Sequence, residues 1–186
     1  MRNTTEGTPK LLLNSSLPLT TTAFLFVRVL ENTVALRGTC TDKPMNIQLA
    51  ENDTDTGRCF PVMAQLRPHL TAEDFMVRVK RQLDLYGYRL AFVEENGKIK
   101  AVAGFRITEM LFRGRFMYVD DLVTDSTERS RGYGAALFEW LLEHAKTQNC
   151  EELALDSGVQ RSGAHRFYFT KRMEIVAYHF SLKLHN

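Results

Sequence analysis

From Met45 to Leu184 the apolar positions fall into alternating strand-like and helix-like runs, whereas residues 1–44 keep no sustained period. Asn46-Ile-Gln-Leu-Ala50 alternates at Ile47 and Leu49 and reads as a strand. Residues 57–67 place Phe60, Met63 and Leu66 at helical spacing and stop at Pro68. Thr71 and Asp74 form a capping-box pattern ahead of the apolar stripe Phe75, Val79, Leu83 and Tyr86, which ends at Gly87. Two strands, Tyr88–Glu94 and Lys100–Met110, flank Glu95-Asn-Gly97, a strong hairpin signal. A further strand, Phe116–Thr124, follows the turn Arg113-Gly-Arg115. After a polar loop, Asp125–Arg131, a helix runs from about Gly132 to Gln148 with Leu137, Phe138, Leu141, Leu142 and Ala145 on one side. A short strand, Glu152–Leu155, a helix from Ser162 to Met173 and a last strand, Ile175–Leu184, complete the pattern. The order is β-α-α-β-β-β-α-β-α-β, an α/β chain with a mixed sheet, because the later β-α-β steps require crossovers.

The Thr-, Ser- and Asn-rich residues 1–44 read as an N-terminal extension, poorly ordered, ahead of a folded domain over 45–186. The alternative is one more strand, Phe24–Leu30, on the edge of that domain. Of the 186 residues 44% are hydrophobic and 25% charged, enough to bury a core, which excludes wholesale disorder and a disulfide-stapled miniprotein. A net charge of +2 gives no dense basic face, so no nucleic-acid partner is expected. Cys40, Cys59 and Cys150 include no CxxC pair and read as reduced thiols, with neither disulfide nor metal site expected. The best apolar run, Thr22–Val27, falls far short of the roughly 20 residues that span a bilayer, and Arg28 and Glu31 follow it. No Ala-x-Ala cleavage site follows it either, so the expectation is a cytoplasmic chain away from membranes.

Chemistry concentrates between Asp120 and Leu137. Arg129-Ser-Arg-Gly132-Tyr-Gly134 lies between a strand and an amphipathic helix, where the first turn offers free amides and a partial positive charge. Glycines at 132 and 134 let an anion approach the backbone, and Arg129 and Arg131 can add charge-assisted contacts. The combination suits a pyrophosphate, although the spacing alone equally fits glycines that serve tight packing. The three-glycine pattern of a dinucleotide fold and the Gly-Lys-Ser/Thr of a P-loop are both missing.

Arg129-x-x-Gly132-x-Gly134 resembles the Q/R-x-x-G-x-G/A signature of the GNAT N-acetyltransferase superfamily. The strand before it, the helix after it and the later Ala164-His-Arg-Phe-Tyr168 helix stand where that family has them, over about residues 45–184. The resemblance implies six or seven strands flanked by four helices. It implies transfer of an acetyl group from acetyl-CoA to a primary amine, in a small molecule or a peptide, by direct attack. The cofactor pyrophosphate would sit on Arg129, Ser130, Arg131, Gly132, Tyr133, Gly134 and Ala135. Its pantetheine arm would run along Leu122, Val123 and Thr124, where a splay from residues 152–156 makes room. A backbone amide near Leu122 or Val123 would polarise the acetyl carbonyl. Tyr168 takes the family's general-acid position opposite the thiolate, or else packs as a core aromatic beside Phe167.

For a base, Asp120 and Asp121 are the candidates, since carboxylates in an apolar strand are costly away from a wet cleft. On a regular strand they face opposite sides, and only a bulge would change that. Asp120 is favoured by its resemblance to the small-amine and aminosugar branch. Tyr118 stands where the histone-acetyltransferase branch tends to have its basic Glu, which counts against that mechanism. His165 and His179 either line the acceptor site or serve as hydrogen-bonded structural residues, and Ser157 and Gly158 are placed to touch the cofactor arm. The alternatives are a non-catalytic acyl-CoA-binding or sensor module of the same fold, and an interaction protein working through residues 1–44. Exposed sheet edges allow a homodimer.

Overall fold

The computed structural model describes residues 45–184, so the expected extension over 1–44, with its Phe24–Leu30 alternative and Cys40, lies outside the described residues. Five strands and four helices follow in the order β1 (Asn46–Leu49), α1 (Asp53–Leu66), α2 (Ala72–Tyr86), β2 (Arg89–Glu95), β3 (Lys98–Met110), β4 (Gly114–Thr124), α3 (Tyr133–Thr147), β5 (Glu152–Leu155) and α4 (Ser162–Thr170). The sheet order is β1-β2-β3-β4-β5, antiparallel except for the parallel β4–β5 pair, so it is mixed as the crossovers require.

Alternation along β2 divides the core into two layers. Leu90 and Phe92 face α1 and α2, where Cys59, Val62, Met63, Phe75 and Val79 close over them. Ala91 and Val93 face α3, which contributes Leu137, Leu141 and Ala145. Trp140 packs beside that second layer, its indole stacked on His144 at 4.8 Å.

Two boundaries differ from the sequence expectation. Helix α1 begins at Asp53, not near residue 57, because Asn52 accepts a hydrogen bond from the Asp55 amide at 2.9 Å and Asp53 and Asp55 lie in the positive first turn. Helix α4 ends at Thr170 rather than Met173.

The expected last strand, Ile175–Leu184, is corrected: residues 174–184 pair with no strand among those described, so the sheet has five strands rather than six or seven. Alternation tells which side chains share a face, but pairing also needs an adjoining sheet edge. None takes up this segment, and Ile175, Val176, Tyr178, Phe180, Leu182 and Leu184 stay exposed.

One irregularity positions the site. Across β3 and β4, Gly104 pairs with Asp121 and Phe105 with Val119, leaving Asp120 as an extra residue on β4. This bulge reverses the alternation within the strand. Before it, Met117 and Val119 pack in the α3 layer; after it, Leu122 takes that side and Val123 faces α1 and α2.

Candidate active site

The loop that leads into α3 is held in a shape few sequences reach. Ser130 and Gly132 adopt φ of 63° and 88°, and Gly132 caps α3 with no side-chain bond to its amides. The first helix-type bond of that end runs from the Ala136 amide to the Gly132 carbonyl. Among the described residues, the amides of Arg129 to Ala135 meet no hydrogen-bond acceptor. An added Cβ at Gly134 would lie 2.7 Å from the Thr124 hydroxyl, so the helix start rests directly on the end of β4. Arg129, Ser130, Arg131 and Gly132 are exposed, with Arg131 paired to Glu128 at 2.8 Å. The side chain of Tyr133 turns the other way, into the core, and donates to Glu95 at 2.6 Å.

The edge of β4 is open beside this loop. Pairing with β5 ends at Val119–Leu155, so residues 120–124 run on with no neighbour on that side among the described residues. The Asp125 amide donates to the Lys100 carbonyl at 2.9 Å, which fixes the alternation: residues 121, 123 and 125 bond to β3. The amides of Leu122 and Thr124 therefore point to the open edge.

Beside the splay lies a cavity of about 810 Å³ between α1, α2, β4 and the loop after β5. Both aspartates line it, because the bulge removes the opposite facing that a regular strand would impose. Each is spoken for. Asp120 receives Nε and Nη2 of Arg106 at 2.9 and 2.8 Å, and Gln82 braces the same guanidinium. Asp121 receives Nε of Arg67 at 2.7 Å and the Tyr88 hydroxyl at 2.9 Å. Burial pushes the Asp120 carboxyl upward in pKa, against the opposing pull of Arg106. Burial, and then Asp121, raises the Tyr88 phenol well above its ordinary range, so it stays a donor.

At the far wall burial, and then the nearby Asp156 carboxylate, pushes the Tyr118 phenol up to about 12. His179 Nδ1 lies 2.8 Å from Oδ2 of that carboxylate. The buried Ser157 hydroxyl has no partner among the described residues. His165 bonds the Gly158 carbonyl at 3.1 Å and so has a structural role, tying the loop after β5 to α4. Tyr168 is half-buried on α4 against Phe167 and does not line the cavity. Burial raises its pKa, partly opposed by Arg161, so it holds its proton at neutral pH.

Sequence reasoning missed Arg67, Arg106, Tyr88 and Asp156. Arg106 carried a usable signal: a cation half-buried at the end of the apolar run of β3 answers carboxylates half-buried in the neighbouring β4. Among the described residues no cluster of His, Cys, Asp or Glu could hold a metal ion, and no helix is long and apolar enough to cross a membrane.

Comparison with known proteins gives the same picture from outside. The family model described as the acetyltransferase (GNAT) family matches residues 55–173. An uncharacterised N-acetyltransferase of Bacillus subtilis, YhdJ, is 33% identical over 112 residues, covering 60% of this chain and 79% of that protein. Glucosamine 6-phosphate N-acetyltransferase 1 of rice is 29% identical over 101 residues, covering 52% of this chain and 61% of the rice protein. The crystal structure of glucosamine-6-phosphate N-acetyltransferase from Arabidopsis thaliana superposes with a TM-score of 0.61 at 26% identity, over 77% of this chain and all of that one.

Proposed function

The chain belongs to the acetyltransferase (GNAT) family, whose members transfer acetyl groups, and we propose that it moves acetyl from acetyl-CoA to the primary amine of a small molecule within a ternary complex. The observation that carries this reading is the conjunction of unused amides at Arg129–Ala135 with the open edge of β4 at residues 120–124. Such amides at a helix N-terminus fit a diphosphate, and the left-handed turn at Gly132 keeps side chains out of its way. Acetyl-CoA, when bound, supplies an acetyl thioester. The outward amides of Leu122 and Thr124 can pair with an extended amide-bearing arm, and the one nearest the thioester carbonyl acts as a fixed oxyanion donor.

Tyr168, protonated at neutral pH, is assigned as the donor to the departing sulfur. The cavity volume of about 810 Å³ is within the usual range for small-molecule sites, which supports a small-molecule acceptor. Asp120 gives both oxygens to Arg106, and Asp121 is held by Arg67 and Tyr88. Taking a proton at either would cost an ion pair, so the geometry favours these residues as the frame that shapes the acceptor wall.

The first test is heat protection. Acetyl-CoA is expected to raise the melting temperature, and adenosine is not; equal shifts would remove the support for a pantetheine groove. The second is turnover, read as released CoA thiol, over a panel of glucosamine 6-phosphate, glucosamine, spermidine, free amino acids and a short peptide. Glucosamine 6-phosphate heads the panel because the rice and Arabidopsis relatives are named for it. For Tyr168→Phe we expect turnover to drop about a hundredfold, the bottom of the general-acid range, with acetyl-CoA affinity unchanged. Weaker binding with unaltered turnover of the bound complex would make Tyr168 a packing residue.

A further inference from the structure

An acceptor amine arrives as an ammonium with a pKa near ~10.4 and must shed a proton before its nitrogen can attack. With Asp120 and Asp121 both committed to arginines, that proton needs another destination in the same cavity. Asp156 is the first residue after β5, at the point where β4 and β5 part company. Its Oδ2 lies 2.8 Å from His179 Nδ1, and both residues line the acceptor cavity together with Tyr118.

A carboxylate oxygen only accepts, so the tautomer that suits this contact carries its proton on Nδ1 and leaves Nε2 with a free lone pair. We infer that His179, held beside Asp156, takes the proton from the acceptor ammonium. The inference rests on the acetyl-transfer reading. In this step the N–H bond of the ammonium breaks, its electron pair stays on the amine nitrogen, and His179 Nε2 becomes N–H. Asp156 stabilises the imidazolium that results. At 69% exposure, the imidazole side chain can then pass its proton to water.

Besides Tyr118, the other charged and titratable groups facing the cavity are Arg67 and His69 from the end of α1 and the turn after it, Arg78 from α2, Tyr88 just before β2, Asp120 and Asp121 from β4, and Tyr178 next to His179. The two aspartates have arginine partners within the protein, and that leaves Asp156 with His179 as the carboxylate–imidazole pair beside the splay.

The test uses the full chain with whichever amine of the panel is turned over. For His179→Ala, kcat/KM at pH 7 is expected to drop about tenfold or more, at or below the bottom of the general-base range because water also reaches the site. Proton removal should then fall to solvent alone, giving a rate that climbs steadily toward the pKa of the amine. Heat protection by acetyl-CoA should be unchanged. A variant with wild-type rate and pH profile would overturn the inference while leaving acetyl transfer intact. Absence of turnover in the wild type with every amine would overturn the transfer reading and this inference together. Independently of any acceptor, the NMR signals of the His179 ring should move in Asp156→Asn, because the carboxylate contact at Nδ1 is lost. Identical ring signals in the two proteins would mean the pair does not form in solution, and would overturn the assignment.

Discussion

Gly132→Asp is expected to lower acetyl-CoA affinity about a hundredfold or more while leaving a folded protein. Two effects add. Gly132 has φ of 88°, and a residue with a Cβ typically loses roughly 1–2 kcal/mol in that region, Asp less than most. The new carboxylate then stands among the amides proposed to receive a diphosphate, replacing attraction with like-charge repulsion and covering donors that must stay open. The fold should tolerate the change, because the nearest atom to an added Cβ is Cε of Met45 at 3.6 Å, an ordinary contact. Calorimetric titration gives the affinity, and a melt without ligand gives the fold. A loss of less than threefold would mean that the loop before α3 is not where the diphosphate rests.

Gly104→Ala should be the most destabilising single methyl in the sheet, by about 3 kcal/mol, or a melting temperature lower by roughly 6–12 °C for a chain of this size. A Cβ there would lie 1.8 Å from the Tyr88 hydroxyl and 2.5 Å from its Cζ. The ring has little room to retreat, since Tyr88 is 3% exposed among Leu90, Phe75, Val79 and Met63. Displacing it also breaks the bond to Asp121, a hydrogen bond to a charged group and so among the stronger kind. A melting temperature within about 2 °C of wild type would show that Tyr88 has room to move. In that case the acceptor wall would be far softer than its hydrogen bonds suggest.

Local pattern reached much of this architecture. The capping box at Thr71, the stripe of α2, the Asn-Gly hairpin and the apolar side of α3 are each decided within a few residues, so they can be read without knowing the fold. The start of α1 was hidden because Asn52-Asp-Thr-Asp55 has a loop-like composition yet works as a cap and an acidic first turn. Ile175–Leu184 misled for the opposite reason: its alternation is strand-like, but a strand exists only against a neighbouring edge. The loop proposed to take an anion is a local device, so its glycines and its place between β4 and α3 could be read from the sequence. The acceptor wall could not, since Arg67 meets Asp121 and Tyr88 meets Asp121 across 54 and 33 residues of sequence. No short-range signal reports such pairings. Asp156 and His179 belong to the same class, joined only when the loop after β5 and the last described segment come together.

The extra residue in β4 makes the count of residues in that strand as consequential as their identity. Taking Asp120 out would set Val119 directly before Asp121 and leave Leu122 and Val123 in their present layers, whereas losing Leu122 would carry Val123 and Thr124 to the sides they do not now occupy. Substituting Asp120 leaves that phase untouched. A survey of one-residue deletions should therefore find β4 more tolerant of losing Asp120 than of losing Leu122 or Val123, the cost at Asp120 falling on its contact with Arg106, which marks the insertion as an addition to a strand whose packing is complete without it.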